Sequence, residues 1–277
     1  MRLFTLLFLF FKSVLCTYNE SLALYALKFA QSTYCNHSSL VKWDCKTCES
    51  DISLSSIFYV REVQILTGYS RIYDSIIVGY RGSSTALNWW YDFKFSMHLK
   101  PYPNLSKSIG VENGFFELYE LSKPQVMQSI EDLSNKYKTK KVITTGHSLG
   151  SVLTTLLTFD LRRETILEVS HISFGSPRVG NHDFVSTYIQ FNKDNSIDMR
   201  VVHFNDLIPH MPPYQILLGY EHVPFEILYN DDNSKYWICH SYFENKNCKH
   251  FKINFDLKKS FGSHLNYLNI TMGSHGC

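Results

Sequence analysis

The chain has 277 residues, 44% of them hydrophobic, and its 27 Lys and Arg against 25 Asp and Glu leave a formal net charge of +2. That length and apolar content suit one large α/β domain, with two small ones as the alternative. So even a charge balance gives no electrostatic case for nucleic-acid binding or for a basic membrane-binding face.

The first sixteen residues read as a secretory signal peptide. Arg2 supplies the positive start, and residues 3–11 are almost wholly apolar before Lys12 interrupts them. That run is too short to span a hydrocarbon core of about 30 Å, which takes roughly 20 residues. Cleavage after Cys16, with Val14 and Cys16 at the two small-residue positions, leaves 17–277 as the mature domain. The alternative is an uncleaved signal anchor. No later stretch is long and apolar enough for a transmembrane helix.

Residues 19–31 carry apolar positions at Leu22, Leu24, Tyr25, Leu27 and Phe29, a broad helical pattern. Residues 56–65 and 71–80 read as strands, with Gly68-Tyr69-Ser70 as a turn between them. In the second, Ile76-Ile77-Val78-Gly79-Tyr80 is apolar on both faces, as a central strand is. A helix is expected over 122–137, with Pro124 near its start. Then come a strand over 141–145 and a helix over 149–163. In that helix Leu149, Val152, Leu153, Leu156 and Leu157 fall on one face. A strand over 168–174, a helix capped by Asn181 and running to 190, and a strand over 198–204 follow. Strands alternating with helices, without repeat or linker, predict one domain with a mostly parallel sheet covered on both faces.

Without Cys16, six cysteines remain, an even set that suggests disulfides in a secreted chain. Spacing pairs Cys45 with Cys48 in a tiny loop and Cys239 with Cys248 in a short one. Cys35 is left for the terminal Cys277. The rival for Cys45 and Cys48 is half a zinc site or a redox pair. No second C-x-x-C and no nearby strand–helix unit supports it. Sequons at Asn19, Asn36, Asn104 and Asn269 are candidate glycan acceptors.

Between the strand at 141–145 and the following helix lies Gly146-His147-Ser148-Leu149-Gly150. G-x-S-x-G at a strand-to-helix turn reads as a nucleophile elbow, whose two glycines leave room for the neighbouring strand and helix. A serine hydroxyl needs a histidine to take its proton and a carboxylate to orient that histidine. On such folds the acid and then the base follow the serine in the chain. Asp206, where the strand over 198–204 meets Leu207-Ile208-Pro209, is the acid expected; Asp183, Asp194 and Asp198 suit surface roles. His264 in Ser263-His264-Leu265-Asn266-Tyr267 is the base. Among its rivals, His203 lies inside a strand and suits packing, and His210 and His222 follow the acid and suit lining the site. His147 flanks the nucleophile with its side chain directed away from that of Ser148. The oxyanion requires two backbone N–H groups, expected from Leu149 and from Ser83 in the loop after the central strand. Next to that loop, Leu87, Trp89 and Trp90 invite reading as an amphipathic flap; against the plainer reading that at least one tryptophan packs in the core, the expectation is one of each.

These pieces together resemble the class 3, or fungal triacylglycerol lipase-like, family. Carrying the resemblance are Tyr80-Arg81-Gly82-Ser83-Ser84 with Asn88-Trp89, and Gly146 to Gly150. They continue with Ser173-Phe174-Gly175-Ser176-Pro177-Arg178-Val179-Gly180-Asn181 and Asp206-Leu207-Ile208-Pro209-His210. Gly219-Tyr220 with His222 and Glu226, and His264-Leu265-Asn266-Tyr267, complete the set. The resemblance implies an α/β-hydrolase fold and a Ser148–Asp206–His264 triad. It implies an oxyanion hole at Ser83 and Leu149, a lid over about 84–92, no metal, no cofactor, and ester hydrolysis through an acyl-enzyme. Trp43-Asp44-Cys45-Lys46-Thr47-Cys48 and the terminal cysteine also resemble secreted members and support the pairing above. Leu87 and Trp90 depart from polar residues found in such lids, and Val223-Pro224-Phe225 leaves the rim of the acyl pocket undefined. The expected partner of this secreted, monomeric protein is a glycerolipid ester at a lipid–water interface, with Trp89, Trp90 and Ile216-Leu217-Leu218 holding acyl chains. The alternatives are an esterase or phospholipase on the same fold, and a non-catalytic lipid-binding protein.

Overall fold

The computed structural model describes residues 18–83, 98–193, 196–213, 219–239 and 256–277. In chain order these form α1 (Glu20–Ser32), α2 (His37–Lys42), β1 (Ile52–Val60), β2 (Val63–Ser70), β3 (Ser75–Tyr80), β4 (Leu99–Pro101), β5 (Gly110–Glu112) and α3 (Asn113–Tyr137). Next come β6 (Lys141–His147), α4 (Leu149–Glu164), β7 (Glu168–Phe174), β8 (Gly180–Asn181), α5 (His182–Gln190) and β9 (Asp198–His203). After these are β10 (Tyr220–Glu221), β11 (Glu226–Tyr229), β12 (Tyr236–Cys239), α6 (Leu257–His264), β13 (Asn266–Tyr267) and β14 (Ile270–Thr271).

The main sheet runs β1-β2-β3-β6-β7-β9-β11-β12. Its centre, β3 to β11, is parallel, in a register that sets Ile76 beside Val142 and Ile172 beside Met199. β1, β2 and β12 add antiparallel flanks. Alternate strand residues point to opposite faces. Ile76, Val78 and Tyr80 therefore pack with Val152, Leu153, Leu156 and Leu157 of α4. Ile77, Ile143 and Ile172 pack with Ala26, Leu27 and Phe29 of α1 on the other face. This is the α/β-hydrolase architecture expected.

Two expected boundaries are corrected. Gly68-Tyr69-Ser70 is no turn; it lies within β2. The chain reverses at Arg61-Glu62, with Arg61 at φ +51, so the strand expected over 56–65 is split between β1 and β2. Gly68 is needed for closeness instead, since a Cβ there would sit 2.9 Å from the Ser53 carbonyl oxygen. The helix expected from 122 begins nine residues earlier, and Pro124 lies inside it. Its cap is the Glu112 carboxylate, which accepts the Phe115 N–H at 2.7 Å.

Cys35–Cys277 and Cys45–Cys48 are disulfide-bonded, with Cα separations of 5.5 and 5.0 Å, which excludes the zinc reading for the latter pair. The third expected bond has one partner, Cys248, outside the described residues. So do the signal segment, the flap with Leu87, Trp89 and Trp90, and Ile216-Leu217-Leu218.

Candidate active site

Three chain segments far apart in sequence converge at the carboxyl edge of the parallel strands. Ser148 follows β6 directly and caps α4 at φ +58 and ψ −128. Such a conformation is uncommon for a side chain larger than glycine and persists only when its surroundings hold it. Here the Ser148 N–H donates to the Phe174 carbonyl at 2.9 Å. The Ser151 hydroxyl ties the Gly146 and Phe174 carbonyls together at 2.8 and 2.9 Å. A Cβ on Gly146 would lie 2.4 Å from the carbonyl carbon of Gly150, and one on Gly150 would lie 2.0 Å from the Tyr80 carbonyl oxygen. The helix start and β3 are thus the two walls that require glycine.

Asp206 lies just past β9. Its Oδ1 accepts the Ile208 N–H at 2.9 Å, and its Oδ2 accepts His264 Nδ1–H at 2.8 Å. A carboxylate only accepts, so the proton of a neutral His264 sits on Nδ1 and Nε2 is bare and basic. Asp206, His264 and Ser148 are all buried. Ser148 Oγ and His264 Nε2 have no hydrogen-bond partner among the described residues. Catalytic hydrogen bonds in empty sites commonly form only around substrate.

The loop after β3 lies against this serine. A Cβ on Gly82 would be 3.1 Å from the Ser148 Cβ and 2.6 Å from the His147 carbonyl oxygen, so Ser83 follows a backbone pressed onto the elbow. Leu149 is the first residue of α4, where an N–H has no partner within the helix and the helix dipole favours negative charge.

The other histidines sort by their partners. His203 is buried, with Nδ1 2.9 Å from the Ser263 carbonyl and Nε2 3.1 Å from that of Asp231, the packing role expected. His222 is buried rather than lining an open site. Burial, with Arg200 and Arg178 nearby, holds it well below the usual imidazole range. Its Nε2–H donates to the Pro209 carbonyl at 2.6 Å, bracing the loop that carries Asp206. Arg178 braces the same loop through the His210 and Pro212 carbonyls, at 2.6 Å each.

Two residues at the site escape sequence reasoning. Tyr267, on β13, donates its hydroxyl to Asp206 Oδ2 at 2.5 Å. Burial and the adjacent carboxylate keep this phenol well above its usual range, so it remains a donor. His147, set aside as directed away from the serine side chain, reaches the main chain of His264, with Nε2 2.8 Å from its carbonyl oxygen and the two rings 4.5 Å apart. The sequence signal for Tyr267 is its place at the end of His264-Leu265-Asn266-Tyr267, which assigns it no role.

Among the described residues, no group of three His, Cys, Asp or Glu side chains is arranged to hold a metal ion. No described helix is long and apolar enough to cross a membrane.

The sequence profile of the family described as Lipase (class 3) matches residues 77–216. The chain is 30% identical over 246 residues to a lipase of Rhizomucor miehei, covering 83% of this chain and 63% of that protein. It is 29% identical over 208 residues to secreted mono- and diacylglycerol lipase 1 of Fusarium solani, covering 71% of this chain and 59% of that protein. It thus spans less than two thirds of the length of these relatives. The crystal structure of a lipase from Rhizopus microsporus var. chinensis superposes with a TM-score of 0.80 at 28% identity, over 92% of this chain and 88% of that one.

Proposed function

The chain belongs to the class 3 lipase family, and on that premise we propose that it hydrolyses glycerolipid esters through Ser148, Asp206 and His264. His264 Nε2 takes the Ser148 proton as Oγ attacks the ester carbonyl, and Asp206 orients and stabilises the resulting imidazolium. The oxyanion accepts the N–H groups of Ser83 and Leu149. Loss of one such donor typically costs about 10²–10³ in rate. His264 then protonates the leaving alcohol, and water repeats the sequence on the acyl-enzyme. The observation that carries this reading is the Asp206–His264 hydrogen bond, with a bare Nε2, buried together with an unpaired serine hydroxyl at a strand-to-helix turn.

The proposal extends to a secreted enzyme. Two disulfides suit an oxidising compartment. Asn19, Asn36, Asn104 and Asn269 are all exposed, as glycan acceptors must be.

Hydrolysis of emulsified tributyrin, compared with a soluble short-chain ester, tests the substrate class. A rise in rate as tributyrin passes its solubility limit is the expected result. Turnover of the soluble ester with no such rise would replace the lipase with an esterase. Turnover confined to phospholipid would replace it with a phospholipase.

A further inference from the structure

The histidine of the pentapeptide takes no part in the steps above, yet it is wholly buried and hydrogen-bonded at both nitrogens. Nδ1 lies 2.8 Å from the Tyr34 hydroxyl, and Nε2 lies 2.8 Å from the His264 carbonyl oxygen. Burial and the neighbouring His264 hold His147 well below the usual imidazole range, so it is neutral and carries one proton. A carbonyl oxygen accepts only, which fixes that proton on Nε2. Nδ1 is then an acceptor, and the Tyr34 hydroxyl donates to it. Burial raises the Tyr34 phenol above its usual range, so it keeps its proton. The backbone of Gly82 passes directly against its oxygen. A Cβ on Gly82 would lie 2.3 Å from that oxygen, so the approach depends on glycine.

Both donors in this chain point the same way, from Tyr34 O–H to His147 Nδ1 and from His147 Nε2–H to the His264 carbonyl, and the loop at Gly82 packs against the Tyr34 hydroxyl that starts it. We infer that Tyr34 and His147 are positioning residues that tie the loop bearing Ser83 and the main chain of His264 to the elbow residue next to Ser148. This inference rests on the triad proposed above. The relay abuts the loop of the proposed oxyanion donor at one end and holds the proposed base at the other, while its middle is covalently next to the nucleophile. Displacing reacting groups by about 1 Å can cost 10²-fold in rate. Buried polar chains of this kind are also high-stakes, since a half-satisfied one is worse than none. Tyr34 precedes Cys35, whose bond to Cys277 anchors this segment.

The test uses the full chain with Tyr34→Phe, His147→Gln and His147→Leu. Gln retains a donor and an acceptor, whereas Leu retains neither. Measured are kcat and KM on a soluble ester, the rate of labelling by a serine-reactive phosphonate, and Tm. Tyr34→Phe and His147→Leu are expected to lower kcat and the labelling rate together, roughly tenfold to a hundredfold, with KM within about twofold. His147→Gln is expected to recover most of that loss. The inference is overturned if Tyr34→Phe keeps wild-type kcat and labelling. It is also overturned if Gln and Leu lose activity equally, or if the losses merely follow the unfolded fraction. A wild-type chain that neither hydrolyses esters nor reacts with the phosphonate overturns the triad itself, and the relay with it.

Discussion

At Gly175 a side chain has nowhere to go. The residue sits at φ +59, and a Cβ there would lie 2.8 Å from the Tyr267 hydroxyl, 3.0 Å from Asp206 Oδ2 and 3.1 Å from His264 Cε1. Gly175→Ala therefore meets both a backbone penalty and the acid and base of the proposed triad. Its kcat is expected to fall by about 10², a larger loss than its change in Tm explains; activity near wild type would contradict this placement. Tyr267→Phe removes one hydrogen bond to a charged group, worth about 1.5–3 kcal/mol. With half of that acting in the transition state, kcat falls roughly fourfold to tenfold with KM unchanged, which steady-state kinetics on a soluble ester measures. The proposed triad of Ser148, Asp206 and His264 was legible because the elbow pattern and the chain order of the family name it, and folding joins Asp206 to His264. Tyr34, His147 and Tyr267 were not, because their roles depend on partners that only folding brings near. Tyr34 meets His147 from a segment 113 residues away.

Element boundaries were legible where local chemistry decides them and illegible where tertiary packing does. α4 and β7 begin where expected because a glycine-bounded turn and a run of apolar residues mark them. α3 hides its start because its cap is Glu112, a residue type that is not a favoured cap. That carboxyl is wholly buried and pushed up to about 7 by burial, with the Phe115 and Gly114 N–H groups offsetting part of the effect. Its folded value lies above the ordinary 4.5, so between those values the folded chain holds a proton that the unfolded chain has released. Stability from this group is complete below about pH 4.5 and is lost as pH rises through about 7. The buried histidines act oppositely. His171, pushed down to about 4, together with His147 and His222, removes stability as pH falls below 6.5. Comparing Glu112→Gln with wild type cancels the histidines. The Tm difference is expected to move in favour of Gln between about pH 5 and pH 8. A difference that does not change with pH would contradict the buried-carboxylate account.

At the scale of the molecule, two ends of the chain are joined across 242 residues by Cys35–Cys277, while Cys45–Cys48 closes a separation of 3. Chain entropy gives the long link a contribution on the order of 5 kcal/mol and the short one about 2. Replacing Cys35 and Cys277 by Ser should lower Tm clearly more than replacing Cys45 and Cys48, as differential scanning calorimetry would read. Equal losses would contradict the entropic account. The long link also holds α1 and Tyr34 against the C-terminal segment beyond the base, so stability and the site share one scaffold. The sheet, in turn, brings Ser148 after β6, Asp206 after β9 and His264 at the end of α6 to one edge. Ester hydrolysis at that edge depends on the reactivity of Ser148. Its most direct measurement is peptide mapping after treatment with a serine-reactive phosphonate, read beside ester hydrolysis by wild type and Ser148→Ala. Stoichiometric label on Ser148 and hydrolysis abolished in the variant are predicted. Label on another residue, or hydrolysis that survives in Ser148→Ala, would contradict it.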